Sequence, residues 1–251
     1  MASRNLVKLF YKLSDRNLED SYLNLLDPHA AVKQRFETNN TEMDMARGDL
    51  IVPINYLQPE QIRNAVKNNI WIIFVRNPLE RLLSAWNDKF KENDDAFYRK
   101  VEDKILSQVR GSKRRNDSDY LSLYEFFTFL KVNTNQSLKL DVHWKPMFRI
   151  CDVCAIDFDF IGKLETFERD VDVLLDKLNV TKGNTNVADK MRPPLLKSED
   201  PRYQELMETV PRQLTEFVLT NIYKNDYDLF GYDLEKDLEH FYGMKDNDSQ
   251  G

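Results

Sequence analysis

The sequence contains little cysteine, glycine or histidine, and it lacks any long apolar run. Its 251 residues include 2 Cys, 7 Gly, 9 Pro and 3 His. So little glycine and proline excludes collagen-like and low-complexity classes of protein. The 36 Lys and Arg residues against 42 Asp and Glu residues give a net charge of −6, which argues against a basic nucleic-acid-binding protein, and we expect no nucleic-acid partner. No run of about 18 apolar residues occurs, so no membrane-spanning segment is predicted.

The two cysteines, Cys151 and Cys154, form a single C-x-x-C pair. No second cysteine pair exists to complete a four-cysteine zinc site, and the nearest histidine upstream is His143. We therefore predict no metal site. The cysteines are interpreted as a structural thiol pair or as a local disulfide.

A chain of this length fits one large domain or two small ones. We predict a single domain over residues 1–242, followed by a flexible tail over residues 243–251. Within the domain, residues 15–50 are polar and irregular and residues 91–120 are rich in charge. We expect both segments to be excursions on the surface.

The apolar pattern predicts strands that alternate with helices. Six apolar residues at 70–75 indicate a buried strand, and Pro78 ends it and opens a helix. A strand, a polar turn and a helix in this order form the βα unit of an α/β fold. A second strand is predicted at Cys154–Gly162 and a polar loop at 179–200. Further helices are predicted at 4–14, from Pro59 onward, and at Leu121–Val132, Glu165–Leu178 and Leu214–Leu229. Of these, Leu214–Leu229 is the last clear helix of the chain.

Arg76 and Ser84 are candidate ligands for an anion. Arg76 follows the predicted strand, at the sheet edge where α/β proteins place their ligands. The helix that begins at Pro78 supplies backbone N–H groups and a positive dipole end. A guanidinium and a hydroxyl together match a phosphate monoester. The alternative is a surface arginine followed by a serine that only fills the helix.

Three blocks of the sequence resemble Golgi carbohydrate sulfotransferases of the chondroitin/dermatan 4-O-sulfotransferase and HNK-1 sulfotransferase group. Residues 74–90, FVRNPLERLLSAWNDKF, resemble the 3′-phosphate-binding motif F-V-R-x-P-x-E-R-L-x-S-A-x-x-x-K-F of that group. Residues 143–168 contain its H-W pair, its two cysteines and the run FDFIGKLETFE. Residues 222–232, IYKNDYDLFGY, resemble its Y-x-x-D-(F/Y)-x-x-F-x-Y ending.

The resemblance implies an α/β, P-loop-like sulfotransferase fold, with a central parallel sheet flanked by helices. It implies an enzyme that transfers a sulfonate from 3′-phosphoadenosine 5′-phosphosulfate (PAPS) to a hydroxyl of a glycan or proteoglycan. Arg76 and Ser84 would then hold the 3′-phosphate of the donor. The implied location is the Golgi membrane or lumen, although no signal anchor is visible in this sequence.

The second donor element of the group, its 5′-phosphosulfate loop, is incomplete here. Residues 2–9 align with the second half of that loop, which makes Ser3, Arg4 and Lys8 candidates for the cofactor site. The preceding strand, a Pro-Lys pair and a Trp are not found. We therefore expect a chain that lacks the first strand, truncated at its N-terminus. The alternative is a catalytically impaired or inactive relative that binds a nucleotide or a glycan.

Sulfonate transfer also needs a base for the proton of the acceptor hydroxyl. His143 matches the H-W block of the group, and a neutral imidazole suits this task near pH 7, so it is one candidate. Glu42 has about the spacing at which relatives carry a histidine, and His29 lies further upstream. In the predicted loop, Arg192 is a candidate contact for a cofactor phosphate.

The tryptophans and the second strand-to-helix turn offer candidates for binding the acceptor. Trp71 and Trp86 fall on buried positions of predicted elements, which leaves Trp144 as a sugar-stacking platform. Lys163 and Glu165 lie where the second predicted strand turns into a helix. They either face the acceptor or cap that helix, and for Glu165 we favour the capping role.

Overall fold

The structure is a computed structural model that describes residues 60, 70–91, 95–112, 119–151, 153–154, 156–178 and 201–243. The chain divides into two compact units. The first unit comprises residues 1–73 with 158–194, and the second comprises residues 74–157 with 195–251. The single domain predicted over residues 1–242 stays a prediction.

Most of the described elements are helices. In chain order they are β1 (Ile72–Val75), α1 (Pro78–Trp86) with a π-helical turn at Asn87–Lys91, α2 (Ala96–Arg110), α3 (Leu123–Val132), a 3₁₀ turn at Thr134–Lys139, α4 (Met147–Ile150), β2 (Phe160–Lys163), a 3₁₀ turn at Leu164–Thr166, α5 (Phe167–Lys177), α6 (Pro201–Glu208), α7 (Arg212–Val218) with a π-helical turn at Leu219–Tyr223, α8 (Lys224–Phe230) and α9 (Leu234–Tyr242).

The first unit contains strand β2, helix α5 and the first half of β1, which continues into the second unit. Strands β1 and β2 form a small parallel sheet, and the backbone N–H groups of Asp159 and Phe160 donate to the carbonyl of Trp71. The predicted first strand is shortened at its start, because Ile70 is 54% exposed. Trp71, predicted to lie in the core, is only half-buried because it precedes the strand. Helices with a parallel sheet agree with the predicted α/β sulfotransferase fold.

The second unit has one large apolar core. Helix α1 packs its apolar face against this core. The apolar residues of the first block that recur at helical spacing are all at most 2% exposed, namely Leu79, Leu82, Leu83 and Trp86. Helix α3 contributes its predicted apolar face, which consists of Leu123, Phe126, Phe127 and Leu130. The aromatic rings and leucines of α1 and α3 thus fix both helices on one core, because packed apolar area is the main stabilising contribution in folding.

The expectation of a surface excursion at 91–120 is wrong for residues 96–110. These residues form helix α2, which buries Ile105 and Leu106 in the core. Glu102 is also buried, and its carboxylate accepts a hydrogen bond from the backbone N–H of Leu121 at 2.6 Å. The other faces of α2 carry charged residues, so the composition of this segment does not indicate its narrow apolar stripe.

The C-terminal part contains more helix than the pattern predicts. The predicted helix Leu214–Leu229 is confirmed as α7 and α8 joined by a π-helical turn, but it is not the last one. Gly231, in the left-handed region at φ 63°, ends α8, and α9 follows with Leu238 and Phe241 in the core. Its apolar stripe is too sparse to stand out among charged residues. Helix α6 was not predicted either.

Several predictions lie outside the described residues. They are the helix at 4–14, the excursion at 15–50, the loop at 179–200, the tail from 244 onward and most of the helix from Pro59. Among the helices that the structure describes, none combines the length and the apolar character needed to cross a bilayer.

Candidate functional site

The first strand-to-helix junction, from β1 to α1, has the predicted form. Strand β1 ends at Val75, and the side chain of Asn77 accepts a hydrogen bond from the backbone N–H of Glu80 at 3.0 Å. Pro78 occupies the first helical turn, where its missing N–H costs nothing. The junction therefore places Arg76 directly between the sheet edge and the capped start of a helix.

Arg76 and Ser84 share a side of this junction. Arg76 precedes α1 and contacts Glu80 in the first turn of that helix. Ser84 lies four residues after Glu80, on the same face of α1. The Nε and Nη2 atoms of Arg76 each lie 3.4 Å from Oε2 of Glu80, and both side chains are about one tenth exposed. Ser84 is half-buried. The predicted phosphate site therefore has a carboxylate between its two candidate ligands.

Helix α9 fixes the same junction from the far end of the sequence. The amide nitrogen of Asn77 donates to Oδ2 of Asp237 at 2.6 Å, and the hydroxyl of Tyr227 donates to the same oxygen at 2.7 Å. Burial raises the pKa of Asp237 and that of Tyr227. The sequence did not predict these contacts, because α9 itself was not predicted.

His143 lies in the turn between the 3₁₀ turn at Thr134–Lys139 and α4. Its Nδ1 atom is 2.6 Å from Oδ1 of Asp141 and 3.0 Å from the hydroxyl of Tyr98 on α2. The imidazole is 40% exposed, so part of the ring reaches solvent. Asp141 and Tyr98 were not singled out in the sequence, although the D-x-H spacing was a signal for the first of them.

The surroundings of Tyr98 keep its hydroxyl protonated. Burial, and then the charge of Asp141, raise the pKa of Tyr98 to about 12. The ring lies under the ammonium group of Lys89, whose Nζ is 4.9 Å from the ring centroid. Near neutral pH, the group beside His143 is therefore a neutral phenol.

Arg81 joins helix α1 to the turn that carries His143. Its guanidinium donates to the carbonyl of Val142 at 2.6 Å and to the carbonyl of Lys145 at 2.5 Å. Burial lowers the pKa of Arg81, but arginine titrates so far above neutral pH that the group stays charged. The first and second sequence blocks are thus connected by one side chain.

The third sequence block holds the other end of this turn. The hydroxyl of Tyr223 donates to the carbonyl of Trp144. The carboxylate of Asp226 accepts from the backbone N–H groups of Met147 and Phe148 at 2.7 and 2.9 Å. The resemblance identified this block in the sequence, but only the structure shows that it holds the His143 turn.

Trp144 is not a sugar-stacking platform. It is 2% exposed, and its ring packs against Phe90 and Phe126 with ring centroids 5.5 and 5.6 Å apart. The prediction was wrong because a tryptophan outside any predicted helix or strand still reaches the core from the turn. The predicted burial of Trp86 is confirmed at 2% exposure.

The second junction, from β2 to α5, uses a different carboxylate from the one favoured in the sequence. Asp170 accepts from the backbone N–H of Lys163 at 2.7 Å and from the hydroxyl of Thr166 at 2.9 Å. Glu165 is exposed in the intervening 3₁₀ turn. Asp170 therefore closes the turn, one helical turn beyond the residue to which we assigned that role.

Most of the remaining candidate site residues fall in parts of the chain that the structure does not describe. Ser3, Arg4, Lys8, Glu42 and Arg192 lie outside the described residues, as does His29. Cys151 is half-buried and Cys154 is exposed.

A family model described as "Sulfotransferase family" matches residues 1–233. The chain belongs to the sulfotransferase family. The family match spans all three blocks and both junctions, so the resemblance predicted from the sequence is confirmed.

Curated relatives of this sulfotransferase are named as carbohydrate sulfotransferases. Carbohydrate sulfotransferase 14 of Danio rerio is 30% identical over 193 residues, which cover 75% of this chain and 50% of the relative. Carbohydrate sulfotransferase 12 of Xenopus laevis is 27% identical, with 72% and 44% covered, and carbohydrate sulfotransferase 8 of Homo sapiens is 34% identical, with 45% and 27% covered. The chain thus spans about half the length of the first of these relatives. No solved structure matches it significantly.

Proposed function

We propose that this chain is a carbohydrate O-sulfotransferase that transfers a sulfonate from PAPS to a hydroxyl of a glycan or proteoglycan. Its family membership and the names of its relatives support this proposal. The resemblance of the three sequence blocks to Golgi carbohydrate sulfotransferases supports the Golgi membrane or lumen as the location. Of the donor contacts, Ser3, Arg4, Lys8 and Arg192 stay predictions from the sequence alone.

The β1 to α1 junction fits the 3′-phosphate of the donor. A guanidinium at the end of a strand, a helix start and a hydroxyl two turns along offer the donor groups that a phosphate monoester accepts from. Glu80 contacts the Nε and Nη2 edge of Arg76, which fixes the plane of the guanidinium. When bound, the donor supplies an activated sulfonate, while Arg76 and Ser84 orient it.

His143 is the proposed general base, with Glu42 as the alternative from the sequence. Its partly exposed imidazole can take the proton of an acceptor hydroxyl near neutral pH. The observation that carries the proposal is the pair of hydrogen bonds from Arg81 to the turn of His143. Through them, the helix that would hold the donor phosphate also sets the position of the base, and well-defined positioning is a main requirement of group transfer.

The first test is calorimetric binding of 3′-phosphoadenosine 5′-phosphate, with Arg76→Ala and Arg169→Ala compared to the unmodified protein. Arg169 is 71% exposed on α5 and provides a matched loss of one guanidinium. We expect Arg76→Ala to weaken binding about 10-fold or more, as for a lost charge-assisted bond. Arg169→Ala should bind as the unmodified protein does. Equal binding by all three proteins would contradict the phosphate site.

The second test is transfer of labelled sulfonate from PAPS to chondroitin or dermatan. His143→Gln should lower the rate about 100-fold or more, as expected for the loss of a general base. Full activity of His143→Gln would refute its assignment as the base and would leave Glu42 as the candidate.

A further inference from the structure

We propose that Asp141 is a positioning residue for His143, which keeps the imidazole proton on Nδ1 and leaves the Nε2 lone pair for the acceptor hydroxyl. This inference rests on the proposed function, in which His143 is the base. It assigns a role to a carboxylate that lies outside the three blocks resembling the carbohydrate sulfotransferases. Tyr98 supports the same arrangement from helix α2.

The carboxylate and the imidazole are held together at two points. Oδ1 of Asp141 is 2.6 Å from Nδ1 of His143 and also accepts a hydrogen bond from the backbone N–H of His143 at 2.9 Å. An unprotonated Nδ1 at that distance would direct its lone pair at a negative oxygen, which is repulsive. The neutral imidazole must therefore carry its proton on Nδ1, and its acceptor atom is Nε2.

Tyr98 restricts the imidazole without competing for its proton. Its hydroxyl is 3.0 Å from Nδ1, and the two rings are nearly perpendicular, at 82°, with centroids 5.7 Å apart. A neutral phenol is a weaker acceptor than a carboxylate, so the N–H points mainly to Asp141. The Tyr98 ring, covered by Lys89, blocks one direction in which the imidazole could rotate.

This arrangement defines where the proton goes during transfer. The acceptor O–H bond breaks and its proton moves to Nε2 of His143, while the freed oxygen bonds to sulfur. The bond between sulfur and the oxygen of the 5′-phosphate breaks, and that oxygen keeps the electron pair. The imidazolium then formed is stabilised by the negative charge of Asp141.

The test is the ¹⁵N spectrum of the imidazoles together with steady-state kinetics. The chain has 3 His residues, so the spectrum of His143→Gln assigns the signals of His143. In the unmodified protein, Nδ1 should give the signal of a protonated nitrogen and Nε2 that of an unprotonated one. Asp141→Asn preserves the shape but removes the charge, so the population should move toward the Nε2–H tautomer. Its kcat should fall about 100-fold, with KM within about twofold.

Two further variants make the test specific. Asp228→Asn removes an exposed carboxylate that pairs with Lys224 on α8 and not with the imidazole, so both the spectrum and kcat should stay unchanged. Tyr98→Phe keeps the ring but removes its hydroxyl, and kcat should fall about fivefold, as for one neutral hydrogen bond. Donor binding should match the unmodified protein in all three variants, which excludes unfolding as the cause.

The outcomes separate this inference from the proposed function. An inactive His143→Gln beside an Asp141→Asn with normal kcat and an unchanged tautomer would overturn the role of Asp141 alone. A fully active His143→Gln would instead overturn the base assignment, whatever the tautomer. A Nε2–H tautomer in the unmodified protein would overturn the geometry on which the inference stands.

Discussion

The junctions that follow β1 and β2 make the same turn from strand to helix, but they are held by different kinds of contact. After β1, Asn77 bonds to Asp237, which lies 160 residues later in the chain. After β2, Asp170 bonds to Lys163 and Thr166, which lie within seven residues of it. A locally closed turn needs only its own segment, whereas the first junction is part of a network that extends to the C-terminal helix. We infer that the contact between Asn77 and Asp237 fixes the first junction in the form that a phosphate site requires.

The largest expected effect comes from cutting the link between α1 and the His143 turn. Arg81→Met keeps most of the side-chain volume but removes both hydrogen bonds to carbonyls of that turn. The free energy of unfolding should fall by about 2–3 kcal/mol, because two charge-assisted bonds are lost and the one to Lys145 is partly buried. Urea denaturation measures the change.

A matched control for this variant is Lys224→Met. The ammonium of Lys224 pairs with Asp228 at an exposed site on α8, so its loss should change the free energy of unfolding by less than about 0.5 kcal/mol. If Arg81→Met were no more destabilising than this control, the link between the two blocks would have no energetic role.

The sharpest test of the comparison pairs Asn77→Ala with Asp170→Ala. Asn77→Ala removes the N-cap of α1, and Asp170→Ala removes the carboxylate that closes the second turn. Each should lower the free energy of unfolding by about 1–2 kcal/mol. Only Asn77→Ala should weaken binding of 3′-phosphoadenosine 5′-phosphate, by about fivefold, because only that junction holds Arg76. Equal losses of affinity in calorimetry would show that the two junctions do not differ in function.

The smallest effect concerns pH and the buried carboxyl of Asp237. Burial raises its pKa in the folded protein, so above the ordinary aspartate pKa of about 3.9 the native state binds more protons than the unfolded state. Stability from this group is therefore present at low pH and is lost as pH rises through the raised pKa. Relative to Asp237→Asn, the unmodified protein should be more stable near pH 4 than near pH 7.

Urea denaturation at several pH values gives this difference directly. Asp228→Asn serves as the control, since its carboxylate is 57% exposed, and its pH profile should run parallel to that of the unmodified protein. A parallel profile for Asp237→Asn as well would mean that the carboxyl titrates normally and that the Asn77 contact is independent of pH.

Much of the site was predictable because its signals are local. The buried strand, the proline and the leucines at helical spacing all lie within residues 72–86, with Arg76 between the strand and helix α1 and with Ser84 on that helix. His143 was found through its H-W block. The turn after β2 was predicted too, but its closing residue was misassigned because Glu165 and Asp170 have the same chemistry and only the contacts distinguish them.

Other features were out of reach because their residues are distant in the sequence. Nothing in the pattern near Trp144 shows that Phe90 and Phe126 will cover it. Helix α2 was mistaken for an excursion because its apolar stripe has meaning only once a core exists to receive it. Both errors come from reading composition where burial depends on the partner surface.

By itself, the sequence determined the family, the first strand-to-helix junction, the candidate ligands Arg76 and Ser84, and the candidate base His143. These follow from periodicity, capping and motifs, which act over a few residues. Only the tertiary structure decided that Arg81, Tyr223 and Asp226 hold the His143 turn, and that Asp141 faces Nδ1. Such contacts join segments far apart in the chain, and their geometry exists only after the core has brought those segments together.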